Sequence, residues 1–481
     1  MDKIHRLYID DAADAFIASI DLLKICNLAS TFHPEHKPCR LVDNKPRKGS
    51  YNVCFLIVFL SDGSDTEEKW VIRIPLIPRL AFPEEKTRSE IATMKYIASN
   101  TTIPIPNIHG YGFRQTHPSG LTFMLISYLP GNTLSDIDLT ILDSHTRSHI
   151  YSQLADIFIQ LRRCEFPHIG SLTLDPSDDQ TPIFAHNRGL DININDYELG
   201  GLDATSIIGP SKIYTTAIDY LYTLTELLFN QFDKQTNCIY NEADARYNLY
   251  GLHQFRSILM GWLRRETNEG PFLLTHGDFR RRNILVDQDM NITGVLDWEW
   301  SRTVPVQMFV PPPWLKGGDI NGLLGFNGLA YTRELRSFRD IVEANENTHY
   351  DQTAGEKKIP LSKLWTRITD SDDFYIAHAL LRLDTAADIY WDAIDNRHYG
   401  EDQQGRVKLF YEVSATSDQN KRIEKKLQEL KAYQARLKEK GLEDDKPLKS
   451  TPRSSTDKKR KRTTFPMDIS LTTRPKRADD T

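Results

Sequence analysis

Residues 273–300 read LLTHGDFRRRNILVDQDMNITGVLDWEW, and this stretch decides the fold. It holds two apolar runs, Asn283-Ile284-Leu285-Val286 and Ile292-Thr293-Gly294-Val295-Leu296. Between them, Asp287-Gln288-Asp289-Met290-Asn291 has turn chemistry. The pattern predicts two short buried strands paired as a hairpin, with polar groups gathered at their ends. His276, Asp278, Asn283 and Asp297 are those groups. One carboxylate near a turn is ordinary; four polar residues at two spacings around a strand pair form a pattern. Such a set suits phosphoryl transfer, which asks a protein for positioning and charge neutralisation more than for covalent help. Asp278 can orient a hydroxyl and accept its proton. Asn283 and Asp297 offer two hard oxygens, and Mg2+ takes one or two such ligands plus phosphate oxygens.

The spacing H-G-D-x4-N, followed by L-D-W, resembles the catalytic and metal-binding segments of the aminoglycoside phosphotransferase / choline kinase-like family, relatives of protein kinases. Protein kinases carry Arg after the His and Gly after the metal Asp; here Gly277 and Trp298 stand there, as in the small-molecule branch. The segment WEWSRTVPVQMFVPPPWL, residues 298–315, resembles a fungal-type subgroup whose members mostly lack assigned substrates. The resemblance covers residues 45–400. It implies a two-lobed, protein-kinase-like α+β fold: a small antiparallel sheet with one helix, a mainly helical large lobe, and a site between them. ATP and Mg2+ are the implied cofactors, with a small-molecule acceptor.

The preceding chain fits that plan. Gly49, in a turn that feeds the apolar run Val53–Leu60, lets backbone N–H groups approach phosphate. In family position this is the nucleotide-covering loop, with Ser50 and Asn52 as further donors. A lone Gly replaces the fuller G-x-G-x-x-G. The turn Ser61-Asp62-Gly63-Ser64 returns into Trp70–Pro75, where Arg73 interrupts an apolar strand. A charge there needs a partner. Kinases place a Lys at this point, on the α/β-phosphates and paired with a helix Glu. Arg73 keeps the charge but brings a planar fork. The helix predicted over 83–99 buries Ile91, Met94 and Ile97, and Glu90 beside them is the partner expected for Arg73. Two strands, His109–Arg114 and Leu121–Tyr128, lead to the lobe hinge, where Ser127 and Tyr128 neighbour the adenine.

In the large lobe, Ile150, Leu154, Ile157, Phe158 and Leu161 make a helical stripe. Residues 165–213 read as a long irregular insert, of the kind that is functional or mobile. Helices are predicted over 214–230 and 245–265, and a closing helix over 373–398. Within the first-quoted stretch, Arg280 holds the place of the basic residue that touches the transferred phosphate in kinases, and His276 braces the loop backbone. Pro311-Pro312-Pro313 reads either as a motif for aromatic grooves or as a rigid wall near the acceptor.

The totals set the outer limits. The 481 residues, 40% hydrophobic and 26% charged, are globular in composition. No apolar run has the length of a membrane span, and the acidic amphipathic start resembles no leader. Five scattered cysteines without C-x2-C spacing argue for a reducing compartment, cytoplasmic, and against a zinc site. Residues 8–28 read as one packing helix with Ala12, Phe16, Ile20 and Leu23 on a face. Residues 421–481 hold 19 Lys and Arg against 10 Asp and Glu, whereas the remainder is acidic. A partly docked helix is predicted over 420–440, and a disordered basic tail over 441–481. Lys458–Arg462 is a nuclear-import type block, so the tail binds import machinery or an acidic partner rather than nucleic acid. The expected divisions are 1–44, an N-lobe over 45–127, a C-lobe over 128–415, and a charged helix with tail over 416–481. A second reading is a catalytically weak or silent relative, a nucleotide-binding scaffold, motivated by Arg73 and the single Gly. A protein kinase is a weaker third, since no A-P-E follows Asp297.

Overall fold

The computed structural model describes residues 1–43, 45–60, 67–316, 318, 320–323, 327–349, 359–369 and 371–442. The predicted turn over 61–64 and the basic tail with its import-type block lie outside the described residues.

The small lobe is built on β3 (Asn52–Phe59), which is buried at seven of its eight positions. A strand so apolar on both sides needs cover on both faces. Strands β1 (Cys39–Leu41), β2 (Arg47–Lys48), β4 (Lys69–Pro75), β5 (Ile108–Gly112) and β6 (Phe123–Ser127) complete an antiparallel sheet, ordered β1-β3-β4-β6-β5 with β2 beside β3. Helices α1 (Lys3–Ala18) and α2 (Leu22–Phe32) precede it. From α2, Ile25, Leu28 and Ala29 pack with Val53, Phe55, Ile57 and Trp70. Helix α3 (Pro83–Asn100) instead joins Ile91, Met94 and Ile97 to the main core, with Met124 and Ile126 of β6.

The single helix expected over 8–28 is two, bent by 68°. Asp21 breaks it by capping α2, its carboxylate accepting from the amides of Leu23 and Lys24. The turn rotates the apolar face. Leu23 is 78% exposed, while Ala13 and Ile25 are fully buried.

The large lobe carries β7 (Asn132–Thr133), α4 (Ser144–Arg163), the short strands β8 (Glu165–Phe166), β9 (Thr173–Leu174) and β10 (Pro182–Ile183), and α5 (Ile192–Leu199). Helices α6 (Ala217–Lys234) and α7 (Glu242–Trp262) follow. Then come β11 (Phe272–Thr275), β12 (Ile284–Val286), β13 (Ile292–Val295) and β14 (Arg302–Pro305). All five apolar residues of the α4 stripe are buried. The closing helix of 373–398 is broken into helical turns, with a 3-10 turn at Leu383–Thr385 and a π turn at Tyr390–Ile394. Pro311 and Pro312 are buried, so the proline run is not an exposed recognition motif. The C-terminal helix Ser417–Glu439 packs Ile423 against Phe229, Phe232 and Leu249, and packs Tyr433 and Leu437 against Ile4 of α1. Among the described residues no single helix is long and apolar enough to cross a membrane.

The insert over 165–213 is mostly irregular, as expected, apart from β8, β9, β10, α5 and one 3-10 turn, and it fastens α3 to the large lobe. Its fully buried Arg188 makes two bonds of 2.7 Å to the Glu85 carboxylate. The same guanidinium donates to the Ile208 carbonyl and lies 3.9 Å over the Phe82 ring. Arg88 pairs with Asp179, and the Lys95 ammonium donates to the Gln180 carbonyl at 2.9 Å. Removing one partner of a buried pair strands the other charge. Glu85→Ala is therefore expected to lower the unfolding free energy by about 3 kcal/mol in urea titration, and Glu84→Ala, at a more exposed position, by well under half of that.

Candidate active site

The hairpin β12/β13 pairs Ile284 with Val295 and Leu285 with Gly294, and β7 flanks it. At its open end the Leu296 amide donates to the Asn283 carbonyl at 2.8 Å, so the residue before Asp297 lies across from Asn283. The Asn283 amide nitrogen donates to the Asp278 carbonyl at 2.9 Å. That bond leaves the Asn283 side-chain oxygen without a protein donor among the described residues. Asp278, Asn283 and Asp297 thus meet at one hairpin mouth.

Two backbone features hold this loop. Gly277 has φ +78°, and a Cβ there would collide with the Trp300 carbonyl oxygen. Asp297 itself has φ +70°, a left-handed conformation costly for a side-chain-bearing residue. His276 is 2% exposed and donates from Nε2 to the Leu296 carbonyl at 2.8 Å. Burial pulls its imidazole pKa down, so it stays neutral and acts as a brace. Trp314 donates to the Phe279 carbonyl at 2.7 Å and stacks on that ring, so the proline segment backs the Asp278 loop.

Across the cleft, Arg73 of β4 reaches Glu90 of α3 at 3.0 Å and Asp297 at 2.9 Å. Glu299 lies 3.8 Å from the same guanidinium nitrogen. Two further buried residues enter this cluster that the sequence reading did not single out, Lys86 and Glu299. The Lys86 ammonium bonds Asn52 Oδ1 at 3.2 Å, Glu90 Oε2 at 3.2 Å, and Glu299. The Asn52 amide donates to Glu299 at 2.6 Å. Two cations therefore face three carboxylates. Burial raises the Glu299 carboxyl, helped by the Asp297 charge, to about 7. Burial also works against an ionised Asp297, but the Arg73 guanidinium overrides it and holds that carboxyl below its usual range. Lys86 had one sequence signal, its place four residues before Glu90 on the same helix face. Glu299 had another, a carboxylate between two tryptophans that are both buried.

The Gly49 amide donates to the Asn52 carbonyl at 2.8 Å, closing a tight turn between β2 and β3, and Ser50 is exposed at its tip. Asn52 differs from expectation: its side chain belongs to the buried cluster and does not face the loop mouth. Tyr51 ties the loop to the large lobe, its hydroxyl donating to Asp196 at 3.1 Å. At the hinge, the Ser127 and Tyr128 amides already donate to the Asn107 and Lys69 carbonyls, so neither N–H is open to a base edge. Arg280 and Arg282 pair with opposite oxygens of Asp278, at 2.5 and 2.9 Å. Burial pulls the Arg280 pKa down. Arg281 turns away and donates to the Leu134 and Ile137 carbonyls.

Asn283 and Asp297 form an all-oxygen pair, the donor type Mg2+ prefers. Among the described residues no group of three or more His, Cys, Asp or Glu is placed to hold a metal ion.

The fold is two-lobed and kinase-like, with a cluster of carboxylates around Arg73 at the hairpin, and a fold of this kind does not by itself fix an activity. Residues 56–306, just over half of the chain, match the phosphotransferase enzyme family (APH), and the chain belongs to that family. A curated relative, clavilactone A biosynthesis cluster protein Y of Ampulloclitocybe clavipes, is 28% identical over 277 residues. That match takes in 54% of this chain and 58% of the relative, so it spans less than two thirds of the relative's length. Similar solved structures include a thermostable mutant of aminoglycoside phosphotransferase APH(4)-Ia with AMP-PNP and hygromycin B, at 14% identity and TM-score 0.39, covering 79% of this chain and 96% of that one. The GDP complex of aminoglycoside 2'-phosphotransferase-IIIa stands at 13% and 0.39, covering 82% and 100%. None of these bears on the acceptor.

Gly277 gives the direct stability test of the loop. Gly277→Ala is expected to cost roughly 3 kcal/mol, from left-handed strain plus the collision with Trp300, read as a fall in the thermal midpoint.

Proposed function

We propose that this chain transfers the terminal phosphoryl group of ATP to a hydroxyl of a small-molecule acceptor, with Mg2+. The observation that carries the proposal is the convergence of Asp278, Asn283 and Asp297 at one hairpin mouth, facing Arg73 across the lobes. Asp278 orients the acceptor hydroxyl and takes its proton. Asn283 and Asp297 hold the metal, which neutralises developing charge on the phosphates when bound. Arg73, braced by Glu90, faces the α/β-phosphates, and the Gly49 turn covers them. Arg280 leaves its Asp278 oxygen to meet the transferred group, while Arg282 holds the other oxygen.

A specific observation favours the second reading, a nucleotide-binding scaffold of low turnover. Arg73 bonds Asp297 directly, and both Asp278 oxygens are in ion pairs. The basic tail, including Lys458–Arg462, then serves a nuclear-import or acidic partner. Thermal-shift titration with ATP, with and without Mg2+, followed by ADP release over an acceptor panel, separates the two. Stabilisation together with acceptor-dependent ADP release supports the enzyme; stabilisation without release from any acceptor supports the scaffold.

In the enzyme, Asp278→Asn is expected to lower kcat by about 10³-fold with the fold intact by circular dichroism. Asp297→Asn is expected to remove the Mg2+ dependence of nucleotide stabilisation. An Asp297→Asn protein with the wild-type rate and metal response would refute the metal assignment.

A further inference from the structure

The scheme above gives Lys86 no part, although it is among the most buried charged groups of the molecule. Its side chain is fully inaccessible, so it touches no ligand and acts through its neighbours. An ammonium has three hydrogens and no acceptor. Here its three partners come from three separate elements: Asn52 at the start of β3, Glu90 one turn along α3, and Glu299 beyond β13.

The oxygens are divided between the two cations. Glu90 gives Oε1 to Arg73 and Oε2 to Lys86. The Oε2 atom of Glu299 is held by Lys86 and Asn52 and stands 3.8 Å from Arg73, just outside close contact. Were Lys86 neutral, three carboxylates would share one guanidinium, and Glu299 would need to move by only about 1 Å to a direct hydrogen bond. An arginine so surrounded has little attraction left for phosphate. We propose that Lys86 is a positioning residue that keeps Glu299 off Arg73 and thereby reserves the Arg73 guanidinium for a nucleotide phosphate. This rests on the nucleotide-binding reading given above. It divides between two residues what a single strand lysine does in kinases: Arg73 meets the ligand, and Lys86 disposes of the surplus carboxylate.

The test is calorimetric titration of the full chain with ADP in the presence of EDTA, which isolates phosphate recognition from metal. Lys86→Met is expected to weaken ADP by about tenfold or more. Adding Glu299→Gln removes the competing charge, and the double variant is expected to return to within about threefold of wild type. A role confined to folding would not produce that recovery of affinity. Unchanged affinity in Lys86→Met, or no recovery in the double variant, overturns the proposal. Should Lys86→Met not fold, the double variant, which loses one charge of each sign, is compared with wild type directly. Affinity within about threefold sustains the proposal, and a weaker value overturns it. If wild type itself binds no ADP, with or without Mg2+, the nucleotide reading fails, and this inference fails with it.

Discussion

The arrangement of the cleft depends on one buried ammonium and the three acceptors around it. Burying an unpaired charge costs several kcal/mol, whereas a paired and hydrogen-bonded one is tolerated. Lys86, Glu90 and Asn52 belong to the small lobe, while Glu299 follows the hairpin of the large lobe. Loss of Lys86 would leave Glu299 in the interior with only the Asn52 amide and a guanidinium 3.8 Å away. The ion network therefore fixes how the lobes face each other, and through Arg73 it fixes where Asp297 points. Burial, with the neighbouring Asp297 charge second, raises the Glu299 carboxyl toward neutrality.

The loop on the hairpin side is held by different means, with steric and backbone constraints in place of ion pairs. Gly277 packs against the Trp300 carbonyl where no side chain fits. Neutral His276 ties the loop to the Leu296 carbonyl, and Trp314 backs it through Phe279. Asp297 adopts its left-handed backbone within this frame. A rigid polar loop on one side and a charge network on the other give an arrangement set before any ligand arrives, the condition for electrostatic stabilisation without reorganisation.

Short-range patterns in the chain carried much of this. The hairpin and its polar ends were readable from local periodicity and turn chemistry, whereas the contact of Arg73 with Glu90 was what the family resemblance implied. Lys86 and Glu299 were not singled out, since each makes sense only with the other, and they lie far apart in the chain. The irregular character of the insert was readable, but its attachment to α3 was not, for the same reason. That attachment runs through Arg188 and Glu85, a pair 103 residues apart, which composition does not reveal. The break between α1 and α2 had a visible cause in Asp21, but the 3.6-residue period ran through it. At the hinge, strand propensity placed Ser127 and Tyr128, but not the carbonyl partners that occupy their amides.

The clamp on α3 has a consequence for how this protein can rest. Kinases commonly idle by letting the corresponding helix drift outward, which separates its glutamate from the strand cation. In this chain such a drift would tear Glu85 from Arg188 and Arg88 from Asp179, and would leave Glu299 in the interior without its ammonium. Each of these contacts opposes such a drift. A dormant form of this molecule would have to keep that helix docked and withhold something else.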